Sequence, residues 1–203
     1  LPDYRAYIWK VLHRYDYTPQ DCYSFHASIQ QEVVPVMRRI RQRRQAQLGV
    51  EALRPWDEAV DPLGRDPLKP YQTVDELVEK ASTIFHKVDP QLGAYFDNMR
   101  QGGMLDLENR KGKAPGGYCT SFDMSRQSFI FMNAVGLHDD VATILHEAGH
   151  AFHNFESFHL PYHQQLVVGM EIAEVASMAM ELLTTPYLTR EHGGYYSTAD
   201  AAR

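Results

Sequence analysis

The sequence predicts a mainly α-helical fold with a small β-sheet beside one histidine-bearing helix. Three observations carry that expectation. Apolar residues recur at intervals of three and four over most of the 203 positions, the pattern of helices that bury one face. A short apolar run of strand length appears only after Gly103, within "SRQSFIFMNAVG". The segment "TILHEAGHAFH", residues 143–153, sets two histidines four apart inside one of the helical patterns.

Helical character runs over residues 3–17 and 20–48, the second with Val33, Val34, Met37, Ile40 and Leu48 at its apolar positions and Gly49 as its stop. Five arginines between Arg38 and Arg44 lie on it, and on an acidic chain they read as a solvated face paired with carboxylates. Residues 53–71 hold four prolines and a glycine, which suits an irregular connection. Thr73 followed by Glu76 predicts a capping box opening a helix to about Val88. Asp89-Pro90 supplies the N-cap and first position of the next helix, which ends at "RQGG".

Past Gly103 the glycine- and charge-rich "ENRKGKAPGGYCTSF" leads to Phe129, Ile130, Phe131 and Met132 as a strand, with a hairpin around Asp123 to Gln127. Asp139 or Asp140 is placed to cap a helix whose Val141, Ile144, Leu145, Ala148, Phe152 and Phe155 repeat at three and four. After the loop "SFHLPYHQQ", the run "LVVGMEIAEVASMAMELL" forms the last helix, ended by Pro186. Residues 1–103 thus read as a helical scaffold and residues 104–203 as the small sheet with two site-bearing helices.

Composition narrows the function classes. With 44% apolar and 23% charged residues the chain is of the soluble globular type, and its net charge of −6 argues against nucleic acid or an anionic membrane as partner. No stretch approaches the roughly 20 apolar residues that span a bilayer, and the first residues lack the apolar core of a signal peptide. Cys22 and Cys119 are too few for a disulfide framework and suit a reducing, cytoplasmic setting. Small molecules or peptides remain as partners.

Residues four apart on a helix share a face, so His146 and His150 can aim their rings at one point. Zinc accepts imidazole nitrogen there, and a catalytic site needs one more protein ligand and an open position for water. Glu147, about 100° further around the helix, stands beside such an ion rather than on it, where it can accept a proton from the metal-activated water. The pattern does arise by chance on ordinary helices. A second set of residues adds weight: Glu171, Glu174, Met178 and Glu181 fall on one face of the following helix. The run around them is mostly apolar, so that helix is expected to be buried, and buried carboxylates are costly unless paired or metal-bound.

"HEAGH", a 23-residue interval and then "EVAS" within "MEIAEVASMAMELL" together resemble the zinc metallopeptidases of the oligoendopeptidase F and thimet oligopeptidase family, over about Tyr71 to Leu183. The resemblance implies a zincin-like metallopeptidase core, of which this chain is a partial catalytic domain enclosing a channel for short peptides. It implies one Zn2+ held by His146, His150 and Glu174, the glutamate that opens the family's E-x-x-S sequence, with Glu147 as general base. Glu171 or Glu181 would then orient a ligand histidine from outside. "GKAPGGY" resembles the family's glycine-rich segment, which implies peptide contact at Gly116, Gly117 and Tyr118, and "FIFMN" looks like the edge strand along which substrates lie. The family's substrate-lining histidine and tyrosines have no match here, Tyr195 and Tyr196 included.

The expected function is a zinc-dependent endopeptidase acting on short oligopeptides. A zinc exopeptidase on the same core needs a group that reads a terminal charge, and none is identifiable. A non-catalytic zinc-binding module has no use for Glu147 beside an open coordination position.

Overall fold

The computed structural model describes residues 2–202, and of Met170 the backbone only. The chain divides into two compact units, residues 1–67 and 68–203.

In the first unit, Asp3 opens α1 (Tyr4–Val11) by accepting the Ala6 N–H at 2.7 Å. This helix stops at Val11 rather than running to residue 17, because the backbone turns left-handed at His13, φ 55°. The expected helix 20–48 is interrupted: α2 (Pro19–Ser28) passes through a π turn, Ile29–Val33, into α3 (Val34–Leu48). Pro35 explains the turn. It has no N–H to return to the carbonyl one turn back and its ring crowds that carbonyl, so Val34 reaches to the Ile29 carbonyl instead. Gly49 ends α3 at φ 66°, the left-handed position expected of it. Arg41 pairs with Glu58, and Arg44 donates to the carbonyls of Asp57 and Glu58. No described residue of this unit is fully buried.

The second unit holds the core. Thr73 Oγ1 caps α4 (Val74–Val88) through the Glu76 N–H, while the Glu76 carboxylate reaches back to the Gln72 N–H. Asp89 caps α5 (Pro90–Gln101) through the Gln91 N–H. Next come β1 (Leu105–Glu108), β2 (Tyr118–Phe122) and β3 (Gln127–Ala134), arranged β1-β3-β2 with β1 parallel and β2 antiparallel to β3. Strand β1 was not expected, since "LDLE" carries only two apolar residues. "FIFMN" is the central strand and not the edge; β2 is the edge that borders the site. A continuous apolar run suits a strand flanked on both sides, and β2 alternates half-buried and exposed residues as an edge does.

Helix α6 (His138–Ser157) packs on β3 and β2. Its N-cap position is Leu137, not Asp139 or Asp140. Asp140 sits in the first turn and accepts the N–H groups of Val135, Gly136 and Leu137 at 2.8–2.9 Å, as well as the Tyr71 hydroxyl. Helix α7 (Met170–Thr184) lies against α6, and α8 (Thr198–Ala201) follows. Leu77, Ile84 and Phe85 of α4, Phe96 of α5, Ile130 of β3 and Ile144 of α6 are fully buried together. Among the described residues no helix is long and apolar enough to cross a membrane.

The expectation that α7 is buried needs correction. It starts at Met170 rather than Leu166, and Ile172, Val175, Met178 and Leu182 are exposed, whereas Ser177, Met180 and Thr184 are buried. Apolarity all round a helix reports what it is able to bury, and only one side of α7 meets α6.

Candidate metal centre and cleft

The site begins where α6 and α7 cross. A Cβ on Gly149 would stand 2.6 Å from the Ser177 Cα and 2.8 Å from the Ala176 carbonyl oxygen, so only glycine lets the two backbones come this close. That contact brings Glu174 of α7 over His146 and His150 of α6. The Glu174 Oε2 lies 3.3 Å from His146 Nε2 and 3.6 Å from His150 Nε2. One ligand atom from each of the three residues lies within 4.8 Å of the others. Atoms bound at 2.0–2.1 Å to a tetrahedral zinc stand about 3.3–3.4 Å apart. The separations therefore match the edges of such a tetrahedron better than they match hydrogen bonds, which weaken well before 3.6 Å.

Each of the three is held by a further group. Glu181 Oε1 accepts from His146 Nδ1 at 2.7 Å, which leaves the Nε2 lone pair facing Glu174. His150 makes a backbone hydrogen bond to Ala173, and burial pushes its ring below the ordinary histidine range, towards the neutral form that binds metal. Ser177, wholly buried, donates to Glu174 Oε2 at 3.0 Å or to its carbonyl at 2.9 Å. The role of Ser177 was not anticipated; its signal is a lone hydroxyl one turn past Glu174 on the side facing α6. Of the two carboxylates considered as support, Glu181 touches a histidine, while Glu171 lies exposed in the first turn of α7.

Glu147 is buried beside the cluster. Burial raises its carboxyl above the ordinary range and Glu174 adds to this, while His146 and a backbone hydrogen bond from Cys119 oppose it. Cys119 itself is pushed up to about 12 by burial, so its thiol stays protonated and unreactive.

A cleft of about 520 Å3 runs from the cluster between β2, α6 and the segment leading into α7. Gly117, Tyr118 and Ser121 form one wall, His153 and Asn154 the floor, and Leu166 part of the far side. Gly116 does not line it. The Tyr118 ring stacks on Phe131 at 5.0 Å, on the sheet face opposite the buried Ile130, so its backbone rather than its ring borders the cleft. Tyr195 and Tyr196 stand elsewhere: the first donates to the Leu77 carbonyl from the core, and the second meets His138 Nδ1.

Residues 1–202 match the sequence profile of peptidase family M3. Group B oligopeptidase PepB of Streptococcus agalactiae serotype III (strain NEM316) is 25% identical over 181 residues, which cover 87% of this chain and 29% of the relative. Among solved structures, one from Bacillus anthracis str. Ames assigned as an oligoendopeptidase F superposes with a TM-score of 0.87 at 31% identity, over 96% of this chain and 35% of that one. PZ peptidase A, solved with an inhibitor, gives 0.85 at 32% identity over 96% and 34%. The chain therefore spans about a third of the length of the relatives it matches.

Proposed function

The chain belongs to peptidase family M3, and from that premise we propose that it carries the zinc-binding centre of an endopeptidase that hydrolyses short oligopeptides. The observation that carries this reading is the pair of separations, 3.3 and 3.6 Å, that join Glu174 Oε2 to two imidazole nitrogens held at i and i+4. Two neutral imidazoles and one carboxylate form the donor set of a catalytic zinc site with one position left open. Bound there by His146, His150 and Glu174, zinc supplies Lewis acidity, polarising a peptide carbonyl and acidifying water towards a pKa of about 7.

The remaining work belongs to the chain. Glu147, too far around α6 to join the ligands, accepts the proton of the attacking water as the new C–O bond forms and the carbonyl carbon becomes tetrahedral, then passes it to the amide nitrogen, so that the C–N bond breaks and the amine departs. Among the described residues strand β2 has one hydrogen-bonded neighbour, and its other edge offers backbone groups to an extended peptide that would add as a further strand. Oligopeptides as substrates are supported by the name of the streptococcal relative.

The test uses the intact protein that carries this sequence. Metal content and cleavage of an internally quenched peptide are measured for the wild type and for Glu147→Gln. The expected result is one zinc per chain in both, with hydrolysis lost by a factor on the order of 10²–10⁴ in the variant. Normal turnover by zinc-loaded Glu147→Gln would remove the general base from this scheme.

A further inference from the structure

The edge that faces the cleft is fixed from behind by a residue that belongs neither to the cluster nor to the cleft wall. Between β1 and β2 the chain runs through "NRKGKAPGG", residues 109–117, a stretch with little intrinsic rigidity. Lys113 lies in it with only 1% of its side chain exposed. Its ammonium donates to the Asp106 carbonyl at 2.9 Å, the Asp106 carboxylate at 3.0 Å, the Glu108 carbonyl at 2.8 Å and the Met132 carbonyl at 2.5 Å. It also sits 4.4 Å from the centre of the Phe131 ring. Burying an ammonium is costly unless its protons are all met, and here oxygens from both β1 and β3 meet them.

Three further contacts carry the restraint forward to β2. Asn133 of β3 donates to the carbonyls of Ala114 and Gly116 at 2.9 and 3.0 Å. Gly117 packs on α6 so closely that a Cβ there would stand 3.1 Å from Thr143 Cγ2. Tyr118 stacks on Phe131, the ring under the Lys113 ammonium. The next residue, Cys119, is the one whose backbone hydrogen-bonds to Glu147.

We propose that Lys113 is a positioning residue for the peptide-binding edge, clamping the glycine-rich segment to β1 and β3 so that Gly117 to Ser121 keep their place beside Glu147. The proposal rests on the functional reading above, because it assigns Lys113 to peptide alignment and not to metal binding. A purely structural lysine would change stability alone. A positioning lysine changes KM, since misplacing the edge by about 1 Å is enough to cost on the order of 10²-fold in catalytic efficiency.

The experiment measures kcat, KM and zinc affinity of the intact protein for Lys113→Met and Asn133→Ala, at a temperature well below unfolding. Asn133→Ala leaves the buried ammonium in place and so remains informative if Lys113→Met does not fold. The expected result is a rise in KM of roughly 10-fold or more in Lys113→Met and a smaller rise in Asn133→Ala. Zinc affinity should stay within about 2-fold of wild type in both, because the ligands lie on α6 and α7. Unchanged KM in the folded variants, or a loss of zinc that accounts for the lost activity, overturns the proposal while leaving the peptidase reading intact. A wild-type protein that holds zinc and cleaves no peptide overturns that reading first, and the role of Lys113 with it.

Discussion

Gly149 and Ser177 meet backbone to backbone, with 2.6 Å between the place a Gly149 Cβ would take and the Ser177 Cα. This contact sets the distance between α6 and α7, and so the distance from Glu174 to the two histidines. Normal carbon–carbon contact is about 3.5–4.0 Å, so Gly149→Ala must push the helices apart by roughly 1 Å, half the length of a zinc–ligand bond. We expect a loss of about 1–3 kcal/mol in stability, with zinc affinity falling as well. Calorimetry and competition with a chelator read both. Unaltered zinc affinity in Gly149→Ala would mean that the helix spacing does not set the site.

The three glutamates of α7 should separate by metal affinity. Glu174→Ala removes the oxygen that stands 3.3 and 3.6 Å from the histidine nitrogens, and is expected to lose zinc at chelator concentrations that leave Glu171→Ala loaded. Glu181→Gln weakens the acceptor that orients His146 and should fall between them, by roughly 10–100-fold. Weaker binding in Glu171→Ala than in Glu174→Ala reverses the assignment.

Asp140 ties the entry of α6 to Tyr71. Its removal in Asp140→Ala leaves the N–H groups of Val135 and Leu137 and the buried Tyr71 hydroxyl without their acceptor, while the Gly136 N–H keeps the Tyr71 oxygen. At about 1–3 kcal/mol for each buried group left unmet, partly offset by water reaching the helix end, a net loss of at least about 3 kcal/mol is expected. Tyr71→Phe keeps the backbone donors satisfied and should cost about 1 kcal/mol. Denaturant melts compare the two, and similar losses would place the stabilising partner elsewhere.

The elements that local chemistry marks were legible in the sequence. Thr73, Asp89 and Gly49 open or close helices where expected, because capping acts within one turn. His146, Glu147 and His150 were legible because their relation is also local, one turn of a single helix. Glu174 was reached through a motif, since the distance that matters spans two helices and depends on Gly149. Strand β1 and the edge position of β2 were missed for the same reason: both are set by pairing with β3, which no local period reports. The exposed side of α7 reflects what does and does not pack against it, a property absent from the helix's own residues.

The base of the clamp contributes stability that acid removes. Asp106 is held down to about 2, first by the two hydrogen bonds from Arg110 and then by Lys113. In the unfolded chain the same carboxyl titrates near 3.9. A group whose folded pKa lies below its unfolded value favours the folded state when ionised, so its contribution is full above about pH 4 and is lost as pH falls from about 4 towards 2. Arg110 is exposed and its share is screened by salt, whereas Lys113 is buried and its share is not. Asp106→Asn keeps an oxygen for Lys113 but removes the charge. Its Tm should therefore lie below that of the wild type at pH 6, and the gap should narrow steadily between pH values of about 4 and 2.5. Added salt at pH 6 should shrink the gap without closing it. Melts across this range decide the matter: a gap of constant size from pH 6 to the acid end would show that Asp106 acts through shape and hydrogen bonds, and that the ion pair with Lys113 contributes nothing to holding the segment in place.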